Sequence, residues 1–258
     1  MKRNSLLIFT ALFCALQAFA WGQKGHDVTA FIAEQHLTEQ AKAKITAALD
    51  GHSLVYYANW LDNASNTPEY RYTKTWHYKN VDEGETYDSA PKAKTGDVVV
   101  ALTDIVDKLR GGNLSHDEEN LALRMLIHLV GDMHQPLHMG HRSDLGGNKV
   151  AIKSFNRDTN LHSYWDSELI DFVHKWSHSE WQYQIDRATA DEEAKIVSGD
   201  INSWAKEGVA IAAGIYADTP EGSRVSYAYG AKYAPVVEQQ LLKGGLRLAH
   251  LLNTLYAK

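Results

Sequence analysis

The sequence predicts an all-α protein, a single mostly helical domain with at most a short hairpin around residues 146–156. Three observations predict it. Apolar residues recur at helical spacing in nearly every segment, helix start and stop residues bracket those segments, and strand-like character is confined to residues 149–155. No linker, low-complexity tract or internal repeat divides the chain, so residues 21–258 read as one domain behind a leader at 1–20.

The leader comes first. Lys2 and Arg3 precede an apolar run over 6–16, and Ala18-Phe19-Ala20 forms a small-x-small cleavage site. This is the pattern of a secretory signal peptide, too short to span a bilayer. Cleavage after Ala20 makes Trp21 the first mature residue and predicts a secreted or periplasmic protein. Cys14 is the single cysteine and lies inside the leader, so the mature chain has neither disulfides nor thiolate ligands. The net charge is −6, and loss of Lys2 and Arg3 makes the mature chain more acidic still. Such a chain does not wrap duplex DNA with a basic patch. An anionic substrate is still compatible with it if bound cations supply local positive charge.

The helices follow in order. Residues 28–37 form the first, and Thr38 caps a second toward Leu49. A short helix over 54–64 carries Trp60 and Asp62. The next, 97–110, is amphipathic through Val98, Leu102, Ile105 and Leu109, and Gly111-Gly112 ends it. Ser115 caps the central helix, Asp117, Glu118 and Glu119 suit its N-terminal dipole, and Pro136 stops it. Residues 140–160 are loop-like around the short strand, 161–173 and most of 180–215 are helical, and a last helix covers 235–256.

The central helix carries the chemistry. His128 and Asp132 are one turn apart on the same face, and His138 follows. One such pair reads equally as a hydrogen-bonded couple in a helical core. His162 and Asp166 repeat the spacing on another helix, which makes coincidence a poorer explanation. Trp21, His26, Asp62 and His77 offer further nitrogen and oxygen donors. His134 points off the His128–Asp132 face. His36, His52, His116, His174, His178 and His250 lack a carboxylate at ligand spacing and read as structural or solvated. No nucleophile elbow and no phosphate-binding loop is present.

Trp21 and His26, Trp60-Leu61-Asp62, Trp76-His77-Tyr78, His128-x-x-x-Asp132-x-x-x-x-x-His138 and His162-x-x-x-Asp166 occur in one order. Together with Gly146-Gly147-Asn148 and the run from Gly245 to Asn253, this set resembles the zinc-dependent secreted single-strand nucleases of the S-one/P-one type, relatives of mung bean nuclease. The resemblance extends from Trp21 to the C-terminus. It implies a helical fold shared with zinc-dependent phospholipase C and a cleft holding three Zn²⁺. One zinc would take Asp62, His77, His128 and Asp132, and a second the Trp21 amine and carbonyl, His26 and the bridging Asp132. The third, more exposed, would take His138, His162 and Asp166. The implied activity is hydrolysis of single-stranded DNA and RNA to 5′-mononucleotides, with 3′-nucleotidase activity at the same site. Zinc lowers the pKa of water and offsets developing charge, and Asp62 would orient the attacking water or take its proton.

Tyr78 would stack a nucleobase, with Asn80 bonding its edge and Asn148 also touching substrate; stacking requires an unpaired base. Ser65 stands where several relatives carry an arginine that reaches the phosphate. The runner-up is a zinc phospholipase C, in which the position of Asp166 would hold a glutamate. A purely structural zinc would need one closed site rather than this many donors. The expected protein is a monomer acting on single-stranded nucleic acid, without a membrane or an obligate protein partner.

Overall fold

The computed structural model describes residues 21–257, so the leader expected at 1–20 lies outside the described residues. Helix α1 (Gln23–Gln35) starts earlier than expected. The chain before it is pinned, since the Gly22 N–H donates to the Asp166 carbonyl at 2.6 Å and Trp21 is fully buried. Thr38 caps α2 (Glu39–Ala48) by accepting from the Ala41 N–H. The stretch 54–64 splits into α3 (Leu54–Tyr57) and α4 (Trp60–Ala64). Between them the Ala58 carbonyl turns to accept from His128 Nδ1 at 2.7 Å.

A 3₁₀ segment, Arg71–His77, leads to α5 (Val98–Gly111), whose cap Asp97 accepts from the Val99 and Val100 N–H groups. Ser115 and Glu118 close a capping box on α6 (His116–Met133), a device worth about 1 kcal/mol. Pro136 lies just beyond α6 and opens the 3₁₀ turn Pro136–Met139.

The sheet is larger than expected and shifted along the chain. β1 (Ala151–Ser154) pairs antiparallel with β2 (Arg157–Asn160), Ala151 opposite Asn160. Arg157-Asp158-Thr159-Asn160 carries no apolar residue, so periodicity does not reveal it. The helix expected over 161–173 is α7 (Leu161–Ser163), a π-helical turn (Tyr164–Glu168) and α8 (Leu169–Val173). Then come α9 (His178–Ile185), α10 (Ala190–Ile196) and α11 (Ile201–Asp218). β3 (Arg224–Val225), which no sequence pattern announces, pairs parallel with β1 and completes the order β2-β1-β3.

Helix α12 (Tyr227–Tyr256) begins well before Pro235, which lies in its interior. Packing extends it. Tyr229 accepts a hydrogen bond from Trp165 Nε1 at 3.0 Å, and Tyr233 meets the Trp165 ring edge-on at 5.1 Å.

Two apolar clusters form the core. Leu61, Leu102, Leu123, Leu126, Leu129 and Leu248 belong to the larger, and Trp21, Trp165, Trp181, Ile152 and Leu241 to the smaller. Each fully buried leucine contributes on the order of 2 kcal/mol. Helix α1 joins both clusters, placing Ala30 and Ala33 in the first and Val28 and Ile32 in the second. It packs on α12, α6 and α9. His26 therefore sits where the two clusters meet.

Three peripheral histidines have carboxylate partners too distant in sequence to be read there. His116 meets Asp50 at 2.8 Å, His174 meets Glu238 at 3.1 Å, and His36 meets Asp186 at 2.9 Å with Glu193 on its other nitrogen at 3.9 Å. The Asp186 hydrogen bond raises the His36 pKa above 6.5, against partial burial. The stabilisation is full below 6.5 and is lost as pH rises through the elevated folded value. The melting-temperature gap between wild type and His36→Gln should be widest below pH 6.5 and close as pH rises through the elevated folded value. A gap that ignores pH would assign His36 to packing alone.

Candidate metal centre

Six segments bring their donors to one place. α1 supplies His26, α4 Asp62, the 3₁₀ segment His77, α6 both His128 and Asp132, the following turn His138, and α7 with the π-helical turn His162 and Asp166. They form three groups, the first two sharing His128: His26, Asp62 and His128; His77, His128 and Asp132; and His138, His162 and Asp166.

Asp132 is the hub and is fully buried. Its Oδ2 lies 2.9 Å from His77 Nδ1 and 3.1 Å from His128 Nε2, while its Oδ1 lies 3.4 Å from His26 Nε2. Asp62 Oδ1 is 3.5 Å from His128 Nε2 and 3.9 Å from His77 Nδ1. In the third group, His162 Nε2 is 3.2 Å and His138 Nε2 3.9 Å from Asp166.

The imidazoles are aimed by their other nitrogens. Nδ1 of His128 donates to Ala58 O at 2.7 Å, that of His138 to His77 O at 2.6 Å, and that of His162 to Gly146 O at 2.7 Å. Each Nε2 is thereby turned toward the carboxylates, the arrangement typical of metal-bound histidine. Gln135, which sequence reasoning misses, accepts from the Leu137 N–H through Oε1 and donates to Asp166 through Nε2. Gln-Pro at the start of a helical turn is the signal that could have found it.

Two glycines allow the close approach. A Cβ on Gly131 would stand 2.6 Å from His26 Nδ1. One on Gly146, at φ +67°, would meet Leu137 O at 2.7 Å and His162 Nδ1 at 3.3 Å.

The charges suit a cation. Both Asp132 oxygens, both His26 nitrogens, His77 Nε2 and His138 Nε2 are buried without a hydrogen-bond partner. A buried carboxylate so placed is costly unless a cation compensates it. A proton on His128 can take that part: burial opposes it, but Asp132 and Asp62 raise the His128 pKa well above 6.5. Burial likewise opposes ionisation of Asp132, which His128 and His77 overcome, holding its pKa well below the ordinary value. Burial lowers His138 to about 3, leaving a neutral imidazole, and raises Asp166 to about 6. Nitrogen and oxygen donors without sulfur fit zinc or a similar divalent ion.

His138, His162 and Asp166 are buried, whereas Asp62 and His77 are only partly so.

Tyr78 is 37 % exposed on extended backbone, which removes it from the core. Residues 79–81 run beside 138–140, with the Lys79 N–H bonding His138 O and the Val81 N–H bonding Gly140 O, both at 2.8 Å. Asn80 Oδ1 is buried without a partner against Gly146. Asn148 donates to Leu145 O at 2.9 Å, so one of its donors serves its own loop. Ser65 is buried, with Oγ turned to the Asp62 carbonyl at 3.3 Å. His134 is buried away from the centre, donating from Nδ1 to Val130 O and accepting at Nε2 from Arg247.

The chain matches the S1/P1 Nuclease family over residues 21–257. It is 28 % identical to Endonuclease 3 of Arabidopsis thaliana, across 98 % of this chain and 94 % of that protein. Endonuclease 5 of the same plant is also 28 % identical, across 98 % and 95 %. Nuclease P1 of Penicillium citrinum is 24 % identical, across 92 % and 98 %. With the described residues matched almost end to end, the chain belongs to the S1/P1 nuclease family.

Proposed function

We propose that this nuclease is a secreted or periplasmic enzyme that holds three Zn²⁺ and hydrolyses single-stranded DNA and RNA to 5′-mononucleotides, with 3′-nucleotidase activity at the same site. The observation that carries the reading is Asp132, a fully buried carboxylate whose two oxygens face different imidazoles and lack hydrogen-bond partners. Bound cations would supply the charge that both oxygens lack. The residues holding zinc would be Asp62, His77, His128 and Asp132; His26 and Asp132 with Trp21; and His138, His162 and Asp166. Trp21 joins them through its amine only after cleavage at Ala20, because an acylated nitrogen is not a ligand.

When bound, zinc supplies Lewis acidity and offsets charge on the phosphate oxygens. The chain's own groups do the rest. Asp62 remains ionised, because His128 and His26 outweigh the burial that would raise its pKa. As the partly exposed carboxylate of the inner groups, it can accept a hydrogen bond from the attacking water and orient it. Tyr78, partly exposed, would stack an unstacked base, and Asn80 would bond its edge. A duplex keeps its bases stacked and cannot use that ring, which gives the single-strand preference.

Family membership favours this reading over phospholipase C. The test uses protein starting at Trp21, stripped of metal and resupplied with zinc, on single-stranded DNA, duplex DNA and phosphatidylcholine in parallel. Zinc-restored release of 5′-mononucleotides from the single strand is the expected result. Cleavage of lipid alone, or tightly held zinc with no turnover, would overturn it.

A further inference from the structure

Helix α4 turns Asp62 toward the donor groups, but its adjoining face opens elsewhere. Tyr56, Tyr57, Asn59, Trp60, Asn63 and Arg124 line an open hollow of about 420 Å³ that contains no carboxylate. Arg124 lies on α6 one turn before His128, on the stripe that continues to Asp132. Its guanidinium carbon sits 4.0 Å from the centre of the Trp60 ring and 5.3 Å from that of Tyr57. Arg142, Arg157 and Arg247 each pair with a carboxylate. Among the described residues Arg124 makes no hydrogen bond or ion pair, and its Nε is buried without an acceptor. An arginine flanked by two rings, with its donors unfilled, is prepared for a phosphate oxygen.

The rest of the hollow suits a nucleotide rather than a simple anion. Tyr56 is 63 % exposed and stacks on His52 at 3.9 Å with one face, leaving the other for a base. Asn59 donates to Asp27 Oδ1 at 2.7 Å, while its own Oδ1 is buried without a partner. Asp27 follows His26 on α1, so its bond to Asn59 ties the lining of this hollow to the helix that carries a donor. Ser65, turned inward, supplies no charge to a bound strand.

We propose that the hollow is a second nucleotide subsite for the substrate strand, in which Arg124 holds a phosphodiester that is not cleaved and Tyr56 stacks the adjoining base. The proposal rests on the nucleic-acid reading above and adds a place for a neighbouring nucleotide of the same strand. Arg124 binds there and takes no part in the reaction itself.

The test compares zinc-loaded wild type with Arg124→Gln and Tyr56→Ala on a thymidine dinucleotide and on an eight-nucleotide oligothymidylate. The dinucleotide has one phosphodiester, at the cleavage point, and cannot fill the hollow. For the longer strand, KM should rise about tenfold in each variant with kcat unchanged, and neither constant should move for the dinucleotide. The dependence of log(kcat/KM) on log[salt] should flatten by about 0.7 in Arg124→Gln, the contribution of one phosphate on a single strand. Zinc content and melting temperature are measured alongside, and exposed Tyr56 keeps the test open if Arg124→Gln folds poorly. Equal losses on both substrates, or none on the longer one, would overturn the subsite. Wild type inert on both would remove the nucleic-acid reading itself, a separate outcome.

Discussion

Asp132→Asn should strip zinc from two positions together and lower nuclease turnover by more than about 100-fold, the upper cost usual for residues one shell further out. The substitution keeps the shape of the side chain but removes the negative charge shared by His26, His77 and His128. Those imidazoles meet different oxygens of one carboxylate, so neither cation would keep an intact ligand set. The effect also appears without any substrate. Zinc at about 1,000 times its dissociation constant stabilises a folded chain by about 4 kcal/mol per site. Wild type should therefore melt at a markedly higher temperature with zinc than after chelation, and the variant should lose most of that difference. Full metal content with wild-type turnover would sink the bridging assignment.

Lys79→Met should destabilise the chain by about 3–5 kcal/mol, the usual cost of leaving one member of a buried ion pair alone. Lys79 is 3 % exposed; its Nζ lies 3.3 Å from Asp97 Oδ2 and donates to the Ala90 and Pro91 carbonyls at 3.2 Å. Asp97 also caps α5, so its loss of partner reaches the helix. For a domain of this size the melting temperature should fall by about 10 °C. Lys79→Met combined with Asp97→Asn should recover part of the loss, since no uncompensated charge then remains. A single variant melting within about 2 °C of wild type would show the pair to be solvated.

Local signals in the sequence were legible because they act locally. Thr38 and Ser115 cap their helices through bonds spanning three residues, and Pro136 lies just past the end of α6. The His128/Asp132 and His162/Asp166 pairs face one another as helical spacing dictates, even though a π-helical turn carries Asp166. That the two pairs meet in one centre came from the ordered resemblance and not from spacing. Elements decided by distant packing were not legible. β3 depends on a partner strand far earlier in the chain, and the start of α12 on Trp165. The unpaired state of Arg124 and the buried pairing of Lys79 with Asp97 are likewise properties of assembled helices.

The three carbonyl bonds that aim His128, His138 and His162 carry a further consequence, for timing. They join residues 70, 61 and 16 positions apart, so each closes a loop before its imidazole faces inward. The donor shell cannot exist in a partly folded chain whose long-range contacts are still forming, and such contacts form slowly. Metal uptake is thus expected to be a late event that locks a chain already folded. Loading during refolding should lag behind helix formation and coincide with protection of the α6 amides from exchange.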